Sequence, residues 1–207
     1  MLVLMGKPYT SRILPRPPSV RSLSLPEKVV PLSSLPNDWL TANIKRAGAV
    51  PYTVVEGGDI MFCMGVDNLS GDYTDFGGGF SLKKDMFVQK CVVRELEEES
   101  LGVFKFPVSH ILNNLCVYND GVLITFIYIP PTDIETSVIH FERELSSHLE
   151  RGQPVEVRGI SWMSSLLLKS KLESGLVFDK VTAVLKPHLK EIRKMLRYNT
   201  LDATPRI

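Results

Sequence analysis

Between Glu95 and Glu99 the chain sets four glutamates in five positions, with Arg94 directly before them. Three consecutive glycines, Gly77, Gly78 and Gly79, stand about four helical turns upstream. Successive helical residues turn by about 100°, so Glu95, Glu98 and Glu99 share one sector of a helix and Glu97 points elsewhere. Like charges four residues apart cost a few tenths of a kcal/mol, so a helix shaped for stability alone would intersperse lysines. Hard divalent cations need such clustered oxygens, and Mg²⁺ combines a few carboxylates with waters and substrate phosphates. The glycines add backbone that can approach a ligand closely with free N–H and C=O groups. Arg94 can hold one carboxylate in place or meet a phosphate. A charge run by itself is more often a solvated helix face. The glycine triplet at this distance turns the reading toward a metal–diphosphate site built from a glycine-rich loop and an acidic helix.

These residues resemble the Nudix box, written G-x5-E-x7-R-E-U-x-E-E-x-G-U with U aliphatic. Arg94-Glu95-Leu96-Glu97-Glu98-Glu99 matches its REUxEE core in full, and Gly78-Gly79 match the glycines that open it. The surroundings agree, with a hairpin before the box and a strand ending in tryptophan after it; the resemblance covers roughly residues 46–163. Three positions depart from the pattern. Asp85 stands where the first glutamate belongs, one extra residue separates it from Arg94, and Leu101 takes the final glycine's place with Gly102 one later. The first two bear on the loop geometry and the third on how the helix stops.

The resemblance implies hydrolysis, dependent on Mg²⁺ or Mn²⁺, of a pyrophosphate bond in a nucleoside diphosphate linked to another moiety: a dinucleoside polyphosphate, a nucleotide sugar or a nucleoside triphosphate. Glu98, Glu99 and the Gly79 carbonyl are the implied metal ligands. Glu95 is a further ligand or orients the water, and Arg94 holds a carboxylate. Glu150 and Glu156 are the candidates for a later glutamate that completes the site as ligand or general base. Tyr118 lies about where some dinucleoside-polyphosphate members carry a tyrosine, and Tyr73 and Phe76 are candidates to stack on a base; all three are equally well read as core.

The elements that must position these residues are read from periodicity. Regular structure is expected to begin near Arg46. AGAVPYTVVEGG and DIMFCMGVD form a hairpin about Gly57-Gly58, followed by a turn-rich loop. A helix over Asp85–Ser100 carries Val88, Val92 and Leu96 at i, i+4, i+8, with Asp85 able to cap its start. ILNNLCVY and VLITFIYI form a second hairpin about Asn119-Asp120-Gly121. A helix over Glu135–Glu150 presents Val138, Phe141, Leu145 and Leu149 on one stripe. VEVRGISWM is a strand, and Phe178–Tyr198 a terminal helix interrupted or restarted at Pro187. Alternating strands and helices with hairpins give an α/β fold with a mixed sheet, which the resemblance narrows to a Nudix-like α/β/α sandwich.

Residues 1–45 are rich in proline, with no acid before Glu27. They are read as a basic, flexible or surface-wrapping arm, with an organelle transit peptide as the alternative. Residues 46–200 form the Nudix domain and 201–207 a tail. The 207 residues carry a formal net charge of +1, which gives no bulk attraction to nucleic acid, and no apolar run long enough to span a membrane. Cys63, Cys91 and Cys116 are an odd number without a CxxC pair, so small buried hydrophobes in a reducing compartment, taken as the cytoplasm, are expected.

The expected partner is a small nucleotide-type substrate. An mRNA-decapping hydrolase is the alternative, with RNA as partner. Its path would be Lys186, Lys190, Arg193, Lys194 and Arg197 on the terminal helix, opposite Leu185, Leu189, Ile192 and Leu196; the same stripe is also what an ordinary solvated helix face looks like. A non-catalytic nucleotide- or protein-binding Nudix module is the alternative of another class, ranked below because such modules usually lose part of the REUxEE core. The sequence carries no signal for oligomeric state.

Overall fold

In the computed structural model, residues 29–203 are described, with side chains for 29–199. Strands are β1 (Val30–Pro31), β2 (Arg46–Val54), β3 (Ile60–Asp67), β4 (Tyr73–Thr74), β5 (Phe76–Gly79), β6 (Leu115–Asn119), β7 (Val122–Tyr128) and β8 (Val157–Ser164). Helices are α1 (Asn37–Asn43), α2 (Leu82–Asp85), α3 (Val88–Glu99), α4 (Val108–Ile111), α5 (Asp133–Glu150), α6 (Ser165–Glu173) and α7 (Asp179–Ala203). The strands form one mixed sheet in the order β1-β6-β7-β2-β3-β4, with β8 on β3 and β5 on β2. Only the β2–β7 pair is parallel.

Alternate strand residues point to opposite faces, and both faces are buried. Val50, Phe62, Met64, Ile124 and Phe126 face α6 and α7, meeting Leu168, Val181, Leu185 and Ile192. Ala49, Cys63, Leu123 and Ile127 face the other way, toward Val88, Val92 and Leu96 of α3 and Phe141 of α5. The result is the expected α/β/α sandwich. All three cysteines are free and buried. Among the described residues no helix is long and apolar enough to cross a membrane.

The feature that builds the site is a split in the sheet. β2 and β3 pair only at the end near their connection, over Tyr52–Val54 and Ile60–Phe62. Beyond it the segment from Tyr73 to Gly79 pairs through β4 with β3 and through β5 with the start of β2. The glycines expected in a loop are therefore a strand. Gly77 pairs with Gly48, and a Cβ on Gly77 would stand 2.6 Å from the Gly48 Cα. Only two residues without side chains can cross there.

Other expectations are corrected as well. Among the described residues regular structure already begins at Val30, ahead of Arg46: Leu32, Leu35, Leu40 and Ile44 are buried in the core cluster beneath α3. That part of the proline-rich stretch is folded onto the domain, and residues 1–28 lie outside the described ones, as do 204–207 of the expected tail. The helix expected over Asp85–Ser100 is broken: α2 ends at Asp85, Met86 turns with φ 65°, and α3 starts at Val88. Asp85 is not the cap of α3, whose N-terminal flank is Phe87. α6 was not expected at all. α7 runs through Pro187 without interruption. Pro187 has no N–H to give the Ala183 carbonyl, four residues back, and Asn119 Nδ2 supplies that hydrogen bond instead at 2.9 Å.

Candidate active site

Asp75, between β4 and β5, is fully buried. Arg46, at the start of β2, grips it with two hydrogen bonds of 2.8 and 2.6 Å and gives a third, 2.8 Å, to the Gly77 carbonyl. Burial works against the Arg46 charge, but Asp75 outweighs it and the guanidinium stays protonated beyond its ordinary range. The pair fixes the backbone of β5 at the glycines.

α3 lies across β5 and presents its carboxylates to it. Glu99 accepts the Gly77 N–H at 2.8 Å. The Glu95 carboxylate lies against Gly78, where a Cβ would stand 2.5 Å from it. Both groups are held above the usual carboxylate range. Burial pushes Glu99 up to about 9, and the nearby Asp75 adds to the effect while the Gly77 N–H opposes it. Burial also raises Glu95, against the pull of Arg94. Glu98 sits at the rim, about half exposed, between Arg94 at 2.9 Å and Lys84 at 3.6 Å. Glu97 turns away to Lys105, as the helical wheel requires.

Arg94 is the hub of the acidic face. Its Nε and Nη2 donate to Asp85 at 2.7 and 3.2 Å, and its Nη1 reaches both Glu95 and Glu98. Asp85 is fully buried, and although burial opposes its charge, Arg94 and the Ser81 N–H hold it below the usual range. Asp85 thus reaches Arg94 despite the extra residue between them, which the turn at Met86 absorbs. At the other end Leu101 adopts φ 55° and Gly102 φ 82°, and the Gly102 N–H closes onto the Glu97 carbonyl. The helix stops with a leucine in the left-handed conformation that glycine adopts freely.

A cavity of about 730 Å³ opens over β5. Gly77, Gly79, Glu99 and Arg46 form its inner wall, and Glu156, Lys45, Asn119, Phe178 and Lys180 stand around it. Of the two later glutamates, Glu156 borders this cavity, whereas Glu150 is exposed at the end of α5 and does not. Tyr118 packs edge-on against Trp39, away from the cavity. Phe76 is core, edge-on to Phe104, and Tyr73 lies beneath the Lys171 ammonium. None of these three lines the cavity. Sequence reasoning missed Arg46, Asp75 and Phe178. A charged residue opening an otherwise apolar strand, and an aspartate two residues before the glycine run, were the available signals for the first two.

The donor set suits a hard cation in kind: carboxylates and carbonyls, with two of the carboxylates, Glu95 and Glu99, raised by burial despite the nearby arginines. Among the described residues, however, no three acidic, histidine or cysteine side chains converge as they stand on one metal position. Glu95 and Glu98 are both engaged by Arg94 and would have to leave it to reach a cation.

Compared with known proteins, the chain matches no family model and no curated protein. Solved structures of similar fold include a C. elegans Ap4A hydrolase in a binary complex, at 14% identity and TM-score 0.43, over 74% of this chain and 97% of that one. Another is the NUDIX domain of Shewanella oneidensis NrtR complexed with ADP ribose, at 14% identity and TM-score 0.41, over 74% of this chain and 88% of that one.

Proposed function

We propose that the chain is a metal-dependent pyrophosphohydrolase of the Nudix type, acting on a nucleoside diphosphate linked to another moiety. The observation that carries this reading is Glu99: a partly buried carboxylate raised to about 9, hydrogen-bonded to the glycine strand and bordering a cavity large enough for a nucleotide. Such a group is unfavourable in an empty site and becomes favourable beside a cation. The matched REUxEE core supports the same assignment.

Glu95, Glu98, Glu99 and the Gly79 carbonyl would hold Mg²⁺ or Mn²⁺. When bound, the cation neutralises diphosphate charge and makes a water more acidic. Arg94 keeps the acidic face from flying apart while the site is empty, and Asp85 anchors Arg94. Lys45 and Lys180 offer positive charge to phosphate oxygens. Glu156 is the candidate to take the proton of the attacking water as the bond between phosphorus and the bridging oxygen breaks. The products are two phosphate-bearing fragments.

A second reading, capped RNA as the substrate, is favoured by a groove on α7 of about 450 Å³ lined by Lys190, Arg193, Lys194, Arg197 and Tyr198. Four cations and one aromatic ring suit a single strand.

The test is product release from a panel of dinucleoside polyphosphates, nucleotide sugars, nucleoside triphosphates and capped RNA, with Mg²⁺ or Mn²⁺, in wild type and Glu98→Gln. Metal-dependent turnover abolished by the substitution supports the proposal, and the preferred compound names the substrate. Nucleotide binding without turnover leaves a binding module. RNA turnover that falls with salt and with loss of the α7 cations selects the second reading.

A further inference from the structure

Phe178 stands where the chain enters α7 and is the single aromatic residue lining the large cavity among the described residues. Its ring is 39% exposed, an unusual state for a phenylalanine walled in by charged and polar neighbours. The Arg46 guanidinium lies over it, 6.0 Å from the ring centroid. Arg46 cannot follow a moving ring, because Asp75 and the Gly77 carbonyl hold all three of its hydrogen bonds. Backbone contacts hold the Phe178 main chain, from which the ring projects. The Phe178 N–H donates to the Tyr73 carbonyl at 2.8 Å, and Thr182 N–H closes the first turn of α7 onto the Phe178 carbonyl. The ring is therefore a partly uncovered apolar plate on an anchored backbone in a polar cavity, backed by a cation.

We infer that Phe178 is the platform on which a nucleobase stacks, which makes it a specificity-determining residue of the proposed reaction. A flat heteroaromatic ring is the ligand that such a plate favours, since stacking covers apolar surface while leaving the polar ring edge free. Asn119 and Asp179 border the same cavity and offer polar groups to that edge. An alkyl chain would cover the plate but leave these polar groups idle, and a sugar would engage them but present no flat ring to the plate. The two ends of the wall are joined by a run of contacts. Phe178 touches Arg46, Arg46 touches Gly77, and Gly77 touches Glu99. A base on the ring and a diphosphate at Glu99 are thus the two ends of one nucleotide. This inference rests on the proposed function for the identity of that diphosphate, but base stacking itself is open to test without catalysis.

The experiment measures binding of AMP, GMP, CMP and UMP by titration calorimetry to the full chain with EDTA present, against ribose 5-phosphate as the base-free control. Variants are Phe178→Ala, Phe178→Leu, which keeps apolar bulk without a π face, and Phe178→Trp. Stacking predicts that at least one nucleotide binds more tightly than ribose 5-phosphate. Phe178→Ala and Phe178→Leu should each weaken it by about tenfold or more, Phe178→Trp should retain it, and ribose 5-phosphate should be unaffected. The idea is overturned if no nucleotide outbinds ribose 5-phosphate, if Phe178→Leu binds as wild type, or if the base-free control loses as much as the nucleotide. Because no metal or turnover is involved, an inactive protein that still binds this way would refute the hydrolase and leave the stacking residue standing. An active one that does not would do the reverse.

Discussion

Replacing Glu99 by glutamine should stabilise the metal-free chain, and the gain should grow with pH. In the folded chain Glu99 titrates at about 9, against 4.5 for an ordinary glutamate. At pH 7 the unfolded chain has released a proton that the folded one must hold. At roughly 1.4 kcal/mol per pH unit, the interval from 4.5 to 7 penalises folding by up to about 3 kcal/mol. Rotation of the carboxylate toward cavity water lowers this, so we expect a gain of about 1–3 kcal/mol at pH 7. The sign follows from a raised carboxyl: below the unfolded value both states are protonated and the penalty is absent. It increases as pH rises from there and levels off above the folded value. Glutamine keeps an acceptor for the Gly77 N–H, so the comparison isolates the charge. Urea unfolding of wild type and Glu99→Gln with EDTA at pH 4.5, 7 and 8.5 measures it. Equal stability at every pH, or a variant that is less stable throughout, would refute the electrostatic account of the site.

Gly77→Ala should destabilise by about 1–3 kcal/mol or prevent folding, because its Cβ meets backbone at 2.6 Å. Gly79→Ala, with nothing within 4 Å, should fall within about 0.5 kcal/mol of wild type in the same thermal scan. Asp85→Asn should cost about 3 kcal/mol in urea by leaving Arg94 short of its buried partner; the loss should begin to shrink below about pH 4, where the unfolded-state aspartate takes up a proton, and disappear only once the pH falls through the lower value of the folded Asp85. Asn119→Ala should cost about 1 kcal/mol by orphaning the Ala183 carbonyl. In a Pro187→Ala background, where the helix can supply its own N–H, a double-mutant cycle should return most of that loss.

The sequence made legible whatever has a period. β7 alternates between two buried faces, α3 repeats apolar residues every fourth position, and the second hairpin announces itself through Asp120-Gly121, both at positive φ. Glycine has no side chain and so no pattern, which is why β5 reads as a loop although it pairs with β2. α6, with SLLLKSKLE, shows no clean apolar face. The segment from Leu32 to Ile44 looks like an arm because Pro31 and Pro36 dominate it, yet each proline directly precedes a helical turn. Those positions suit proline, since a first-turn N–H has no partner in its own helix. Within the site, the carboxylate face of α3 was readable because its members are neighbours in sequence. Arg46 and Asp75 lie 29 positions apart, and only the sheet brings them together. That Arg94 holds a carboxylate was readable from its place beside Glu95; that it holds Asp85, Glu95 and Glu98 together was not.

The most direct test of the account is whether the α3 carboxylates hold a divalent cation. Mn²⁺ binding followed by electron paramagnetic resonance, in wild type, Glu95→Gln and Glu99→Gln, answers it without a substrate. The account predicts Mn²⁺ bound by wild type, with affinity reduced at least tenfold in each variant and unchanged in Glu97→Gln, whose side chain turns to Lys105. Wild type that fails to bind Mn²⁺, or binds it as well without Glu95 and Glu99, would contradict a metal site on this face.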